Sequence, residues 1–228
     1  MSGPVDDDVP RPALRPRIRR TAPTTLTAGT DDELIINGAE LRSVDLSGVD
    51  SSFAELGGSR LVDVSMAGSR WQHAAVADCV LSGCDLANAE FADSGWQRCE
   101  VIGSRLVGIR AAGCAWKHVT ITDSMINLAN LRFLEAHRVH VSGCQLNSAD
   151  LGSATLTDVV FEDCDLTEAD FSNARLTRVA FRRCRLARIG GVAGLAGATV
   201  ESADLLQLAD SLAAALGIRI ARDGVRPD

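Results

Sequence analysis

Apolar side chains recur at every fifth residue of this chain. In the stretch "DLTEADFSNARLTRVAFRRCRL", Asp165 to Leu186, they fall at Leu166, Phe171, Leu176, Phe181 and Leu186. The same step carried from Ile36 to Leu186 gives thirty-one successive positions, here termed centres, and only Ser51 among them is polar. Two residues before each centre the side chain is small, mostly Ala, Val, Ser or Cys, and the other three positions of each five are mostly polar or Gly. A helix repeats every 3.6 residues and a strand every 2, so neither accounts for a period of five. One large and one small inward side chain per five residues describes a narrow wound tube. No proline interrupts the region, as expected where nearly every backbone N–H is used between coils.

Charge patterning gives the number of fives in a coil. If a coil holds n residues, position i lies beside i+n, and neighbours should be complementary. At n = 20 the region holds twelve opposite-charge pairs, among them Asp78/Arg98, Glu90/Arg110, Asp158/Arg178 and Asp163/Arg183, against one like-charge pair, Asp150/Asp170. At n = 15 the count is eight opposite and seven like. Four fives therefore make one coil. Residues 36–189 then give between seven and eight coils, a rod of roughly 36 Å at the usual inter-strand spacing.

Beyond the coils, "ESADLLQLADSLAAALGIRI" reads as a helix. Leu205, Leu208, Ala209, Leu212, Ala213 and Leu216 follow the i, i+3, i+4, i+7 spacing, Ser202 is placed to act as N-cap and Gly217 as C′ residue. A solenoid must cover the apolar end of its last coil, so Leu205, Leu208, Leu212 and Leu216 are the candidate residues of a cap, or of a contact between two chains. At the other end five of the six prolines and five arginines (Arg11, Arg15, Arg17, Arg19, Arg20) fall within the first 23 residues. Few apolar side chains offset ordering there. The expectation is a disordered Pro/Arg-rich tail over 1–30, with a short arm for an acidic partner as the sharper alternative.

The segments "ADLGS" (149–153), "CDLTE" (164–168), "ADFSN" (169–173), "CDLAN" (84–88), "AEFAD" (89–93) and "ANLRF" (129–133) resemble the repeat of the pentapeptide-repeat family. The resemblance covers about two thirds of the chain. It implies an all-β solenoid, a right-handed quadrilateral β-helix with four short faces per coil and here a C-terminal capping α-helix. The right hand agrees with the rule for parallel crossovers. The division expected is 1–30 tail, 31–190 pentapeptide-repeat β-helix, and 191–228 Gly-rich turn, capping helix and C-terminal tail.

Candidate chemistry is sparse. All seven cysteines (79, 84, 99, 114, 144, 164 and 184) occupy the small inward position, where Cys behaves as a small hydrophobe. Cys144, Cys164 and Cys184 should stack as a column. The histidines lie on outward positions without HExxH or HxH spacing, "GGVAGLAG" (190–197) lacks the GxGxxG order and the Walker lysine, and there is no GxSxG elbow. No catalytic residue, metal ligand or cofactor is expected. Net charge is −7, which speaks against direct nucleic-acid binding. No apolar run is long enough to span a bilayer, and a cytoplasmic protein is the default. Leu128 and Phe133 are apolar at an outward position, two after a centre, on successive faces of one coil where Ala136 replaces a large centre. They are the candidate contact patch. The function expected is a non-catalytic binding or scaffolding protein of unknown protein partner, with a homodimer through the end helix as one form. The resemblance implies an alternative, a DNA-mimicking modulator of a type II topoisomerase such as DNA gyrase, because some family members have that role.

Overall fold

A computed structural model describes residues 9–18, 21–23 and 33–219. The rest of the expected tail, and the C-terminal tail from 220, lie outside the described residues. The chain forms a parallel β-solenoid of about eight turns with a short helical C-terminal segment. From Glu33 to Arg182 the parallel pairing between coils joins residue i to i+20, as in Leu41↔Leu61, Trp96↔Trp116, Val101↔Ile121 and Leu156↔Leu176. The longest strands, Gly95–Ile102, Ala115–Thr122, Glu135–Ser142, Thr155–Glu162 and Arg175–Arg182, each turn a corner and continue on the next face. The register departs from twenty at the two ends, where Ala22–Pro23 pairs with Ala39–Glu40 at an offset of 17 and Val179–Phe181 with Ala198–Val200 at an offset of 19.

Each five has a fixed structural meaning. The centre fills the tube. The residue two after it turns the corner with positive φ, as at Asp78 (φ 55), Gly83 (φ 64), Asn88 (φ 55) and Asp158 (φ 57), with Phe53 the exception among the described corners. The residue two before it points inward and, where polar, stitches neighbouring coils. Ser59 Oγ accepts from the Ala39 N–H at 3.1 Å and donates to the carbonyls of Gly57 and Ile36, at 2.9 and 3.2 Å. Ser94, Ser104, Ser124 and the cysteines occupy the same niche, so the Cys144 and Cys164 thiols each donate to carbonyls two and twenty-three residues back. Inside the tube Trp71 stacks on Phe91 (centroids 6.2 Å), Trp96 lies over Trp116 (5.9 Å) and Phe161 stacks on Phe181 (5.1 Å). Such pairs contribute about 0.5–1.5 kcal/mol each beyond burial.

Nine of the twelve charge pairs close within 4.0 Å across one coil step. The three that do not have a local reason or a competitor. Glu40 turns to Arg42 (2.6 Å), Glu162 takes Arg183 (2.7 Å) rather than Arg182, and Asp158 takes Arg178 (2.6 Å) rather than Arg138.

The end of the tube is closed differently from the sequence expectation. A 3₁₀ turn, Val192–Leu195, buries Val192 and Leu195. Gly194 packs so tightly that a Cβ would stand 1.9 Å from the Phe171 carbonyl oxygen. The helical segment is broken into Ser202–Leu205, a 3₁₀ turn Leu206–Leu208 and Ala209–Ala215. Its N-cap is Glu201, whose side chain makes no cap bond, and Ser202 lies inside the first turn. At the C-terminus Gly217 (φ 70) donates its N–H to Ala214 and Ile218 donates to Ala213, the Schellman pattern. Leu208 alone of the four candidate leucines is buried; Leu205, Leu212 and Leu216 face solvent. Polar side chains complete the closure that Val192, Leu195 and Leu208 make. Asp204 Oδ2 accepts from the Cys184 N–H (2.8 Å), Gln207 Oε1 accepts from the Leu186 N–H (3.0 Å), and Gln207 Nε2 donates to the Cys184 carbonyl (3.2 Å). Asp204 stands twenty residues after Cys184 and takes the niche that Ser and Cys fill in the coils before it.

Candidate functional site

Every cysteine among the seven is buried and free. Burial pushes the Cys79 and Cys114 thiols up to about 11 and Cys99 up to about 12. A thiol held protonated is neither nucleophile nor metal ligand. No group of three or more His, Cys, Asp or Glu is placed to hold a metal among the described residues. None of the described helices is long and apolar enough to cross a membrane.

The structure places Leu128 and Phe133 at adjacent corners of one coil, 64% and 56% exposed. Both carry left-handed backbone, φ 58 and 59. All other described corners with positive φ are glycine or polar (Ser, Asp, Asn, His, Arg or Glu). A bulky side chain there costs about 1–2 kcal/mol against glycine. The N–H groups of Leu128 and Phe133 still serve the ladder, donating to Asn147 and Gly152. Arg132, between the two corners, lies with its guanidinium 5.3 Å from the Phe133 ring centroid and pairs with Asp150 at 3.3 Å. Ala136, the small centre, is buried in register between Trp116 and Leu156. Phe53, also two after a centre, is exposed but stacks on His73 at 5.6 Å.

The C-terminal segment carries further exposed apolar side chains. Leu205, Leu206, Leu212, Leu216 and Ile218 are all exposed, Leu206 by 80% and Leu216 by 74%.

Another surface carries a feature that sequence reasoning missed. Residues 9–18 lie against the rod. The Arg11 N–H donates to Asp158 Oδ1 (3.2 Å), the Leu14 N–H to His118 Nδ1 (3.2 Å) and the Arg17 N–H to Asp78 Oδ1 (2.8 Å). Further on, Ala22–Pro23 adds a short parallel strand beside Ala39–Glu40 at the first coil. The acceptors share one corner column, Asp78, Arg98, His118, Arg138, Asp158, Arg178. Arg98 and Arg178 grip Asp78 and Asp158 through two hydrogen bonds each. The Asp158 side chain is 1% exposed. The Arg178 bond foremost, with the Arg11 N–H and His137 adding, holds its carboxyl below the ordinary range against the cost of burial. Burial first, then Arg138, His137 and Arg98, lowers the His118 pKa, as suits an imidazole that accepts through Nδ1. The histidines therefore do more than face solvent: His140 lies 3.3 Å from Glu162 and His137 3.9 Å from Asp158. The signal in the sequence was the spacing of Arg11, Leu14 and Arg17, read with acceptors forty residues apart.

Residues 113–190 match the family model described as "Pentapeptide repeat region". Among solved structures, HetL, a pentapeptide repeat protein involved in heterocyst differentiation regulation from the cyanobacterium Nostoc sp. strain PCC 7120, is 20% identical. That match covers 74% of this chain and 87% of HetL, with a TM-score of 0.45. A trypsin-treated form of QnrB1, a plasmid-mediated fluoroquinolone resistance protein, is 20% identical over 90% of this chain and 96% of its own, with a TM-score of 0.44. A pentapeptide repeat protein of the Arabidopsis thaliana thylakoid lumen is 20% identical over 40% of this chain and 64% of its own, with a TM-score of 0.39. No curated protein matches. The matched span lies inside the unbroken register of five, so residues 113–190 carry a pentapeptide-repeat region and the coils before them continue the same five-residue step.

Proposed function

We propose that this protein is a non-catalytic scaffold that docks a protein partner on its rod and associates with a second copy through its C-terminal segment. One observation carries the docking half. Leu128 and Phe133 combine exposure with a backbone conformation that disfavours them, so both fold stability and solubility favour their replacement. Contact with another protein is the compensating gain. The exposed leucines beside the buried Leu208 support the second half. Phe53 is less informative, since it already has a ring neighbour.

The test is a cross-linking capture from the native host with wild type and with Leu128→Asn/Phe133→Asn. Loss of the wild-type partners by the double variant, with retention by Phe53→Ser, supports the patch. An identical set of partners on all three baits rejects it. For the second copy, light scattering should report twice the chain mass for wild type and the single-chain mass for Leu212→Asp/Leu216→Asp.

A further inference from the structure

Residues 10–17 show a period of three in two ways, and Ile18, also half-buried, stands outside it. Pro10, Ala13 and Pro16 are half-buried while Arg11, Pro12, Leu14, Arg15 and Arg17 are exposed. The three donated N–H groups belong to Arg11, Leu14 and Arg17, each the residue that follows a half-buried one. Three residues per turn is the polyproline II helix. Its rise of about 3.1 Å per residue advances about 9.3 Å in three residues. Two coils of a parallel solenoid advance about 9.6 Å. The acceptors Asp158, His118 and Asp78 are forty residues, and hence two coils, apart. The pitch of the extended segment and the pitch of the rod agree to within a few tenths of an ångström.

The composition of the segment fits this role. Pro10, Pro12 and Pro16 fix φ near −65° and bias their predecessors to extended backbone, and none of them sits where a donor is needed. The column fits it too. Its acceptors alternate with Arg98, Arg138 and Arg178, and two of those arginines lock an acceptor carboxylate in place. Between Val9–Arg15 and the face carrying Glu100, Thr120, His140 and Arg182 remains a cleft of about 480 Å³.

We infer that the corner column from Asp78 to Asp158 is a docking groove for an extended, proline- and arginine-bearing polypeptide segment, and that the chain's own residues 9–18 occupy it. The groove reads backbone N–H groups at every third position together with a proline-compatible conformation. A partner protein bearing such a segment competes with the arm, which holds the groove at the high effective concentration of an intramolecular ligand. This reading is independent of the Leu128/Phe133 patch.

The experiment uses the full chain throughout. Amide hydrogen exchange by NMR should show Arg11, Leu14 and Arg17 protected relative to Ala13 and Arg15. Leu14→Pro keeps the extended conformation and deletes one donor, so all three positions should lose protection. Leu14→Ala keeps the donor and should leave the pattern intact. A fluorescein-labelled peptide of residues 9–18 should bind the full-length Leu14→Pro/Arg17→Pro variant at least about tenfold more tightly than wild type, whose groove is filled. The same peptide with one glycine inserted after Leu14 keeps composition and charge but loses the phase, and should bind that variant at least about tenfold more weakly. Equal exchange at all five positions, equal effects of Leu14→Pro and Leu14→Ala, or equal binding of the two peptides overturns the inference. The last result would reduce the arm to an unspecific basic tail.

Discussion

At the scale of the residue, what matters is which of the three roles in each five a side chain is given. Leu128 and Phe133 sit in the corner role, which needs positive φ. Replacing either by Asn, which tolerates that region, should raise stability by about 1 kcal/mol in urea melts. A loss of that size would mean that the side chains hold the rod together. The small inward role explains the thiols. In the folded chain Cys79, Cys99 and Cys114 should react slowly with a thiol reagent, since burial raises their pKa; at Cys144 the hydrogen bond with the Cys164 thiol lowers it instead, and burial alone protects that residue. A raised folded pKa contributes stability that is complete below the unfolded value and is lost as pH rises, so stability should fall from about pH 9 toward about pH 11. His118 has the opposite sense. Its folded pKa is lowered by burial, Arg138, His137 and Arg98, and the arm brings further arginines. Its contribution to arm docking is therefore present above the unfolded value of 6.5 and lost as pH falls through the lowered folded one. Exchange of the Leu14 amide, corrected for intrinsic rate, should accelerate on acidification in wild type, and this acceleration should vanish in His118→Gln.

At the scale of the element, the coils were legible and the ends were not. Thirty-one centres in one register and complementary charges at i+20 specify coil length, stacking order and the core aromatic pairs twenty residues apart, because identical local rules repeat at every level, whereas the edge contacts of Phe91 with Trp96 and Phe171 with Phe181 follow from the tube's cross-section. The terminal closure obeys no repeat. Hydrophobic spacing points to Leu205, Leu208, Leu212 and Leu216 as the cover, of which Leu208 alone is buried, and the last coil presents unpaired backbone groups as well as apolar side chains. Asp204 and Gln207 satisfy those groups, and a polar side chain bonded to backbone leaves no mark in hydrophobic spacing. The arm was missed for a related reason: composition reads proline and arginine as disorder, whereas the partner acceptors lie 61 to 147 residues away. The cap assignment makes a sharp contrast. Gln207→Ala leaves the Leu186 N–H and the Cys184 carbonyl without partners and should cost about 1–3 kcal/mol per orphaned group in thermal or urea unfolding. At concentrations low enough for the single chain to prevail, Leu216→Asp should leave stability unchanged, since within one chain that side chain is exposed.

At the scale of the whole molecule, charge decides between docking partners. A protein that imitates a DNA duplex needs unbroken acidic columns along the rod. Here Asp50, Asp78, Asp85, Glu90, Asp158, Asp163, Asp165 and Glu168 each meet an arginine one coil away, and the field is cancelled close to its source. In a gel supercoiling assay, micromolar protein should neither inhibit DNA gyrase nor relieve a quinolone block. Salt-sensitive inhibition would restore the duplex-mimic reading and make Asp150 and Asp170, the one like-charge stack, the first residues to reverse. The arm sets a further condition on the molecule as a whole. Its three donors meet acceptors only on alternate coils, and the levels between carry Arg98 and Arg138. Duplication of a single twenty-residue coil within 79–158 would bring an arginine under an N–H that needs an acceptor. Duplication of two coils would preserve the phase, provided the arm lengthened by three residues. Growth of the rod and growth of its leader are thus geared at forty residues to three, and length variants of this protein that keep the arm docked should differ in steps of forty-three.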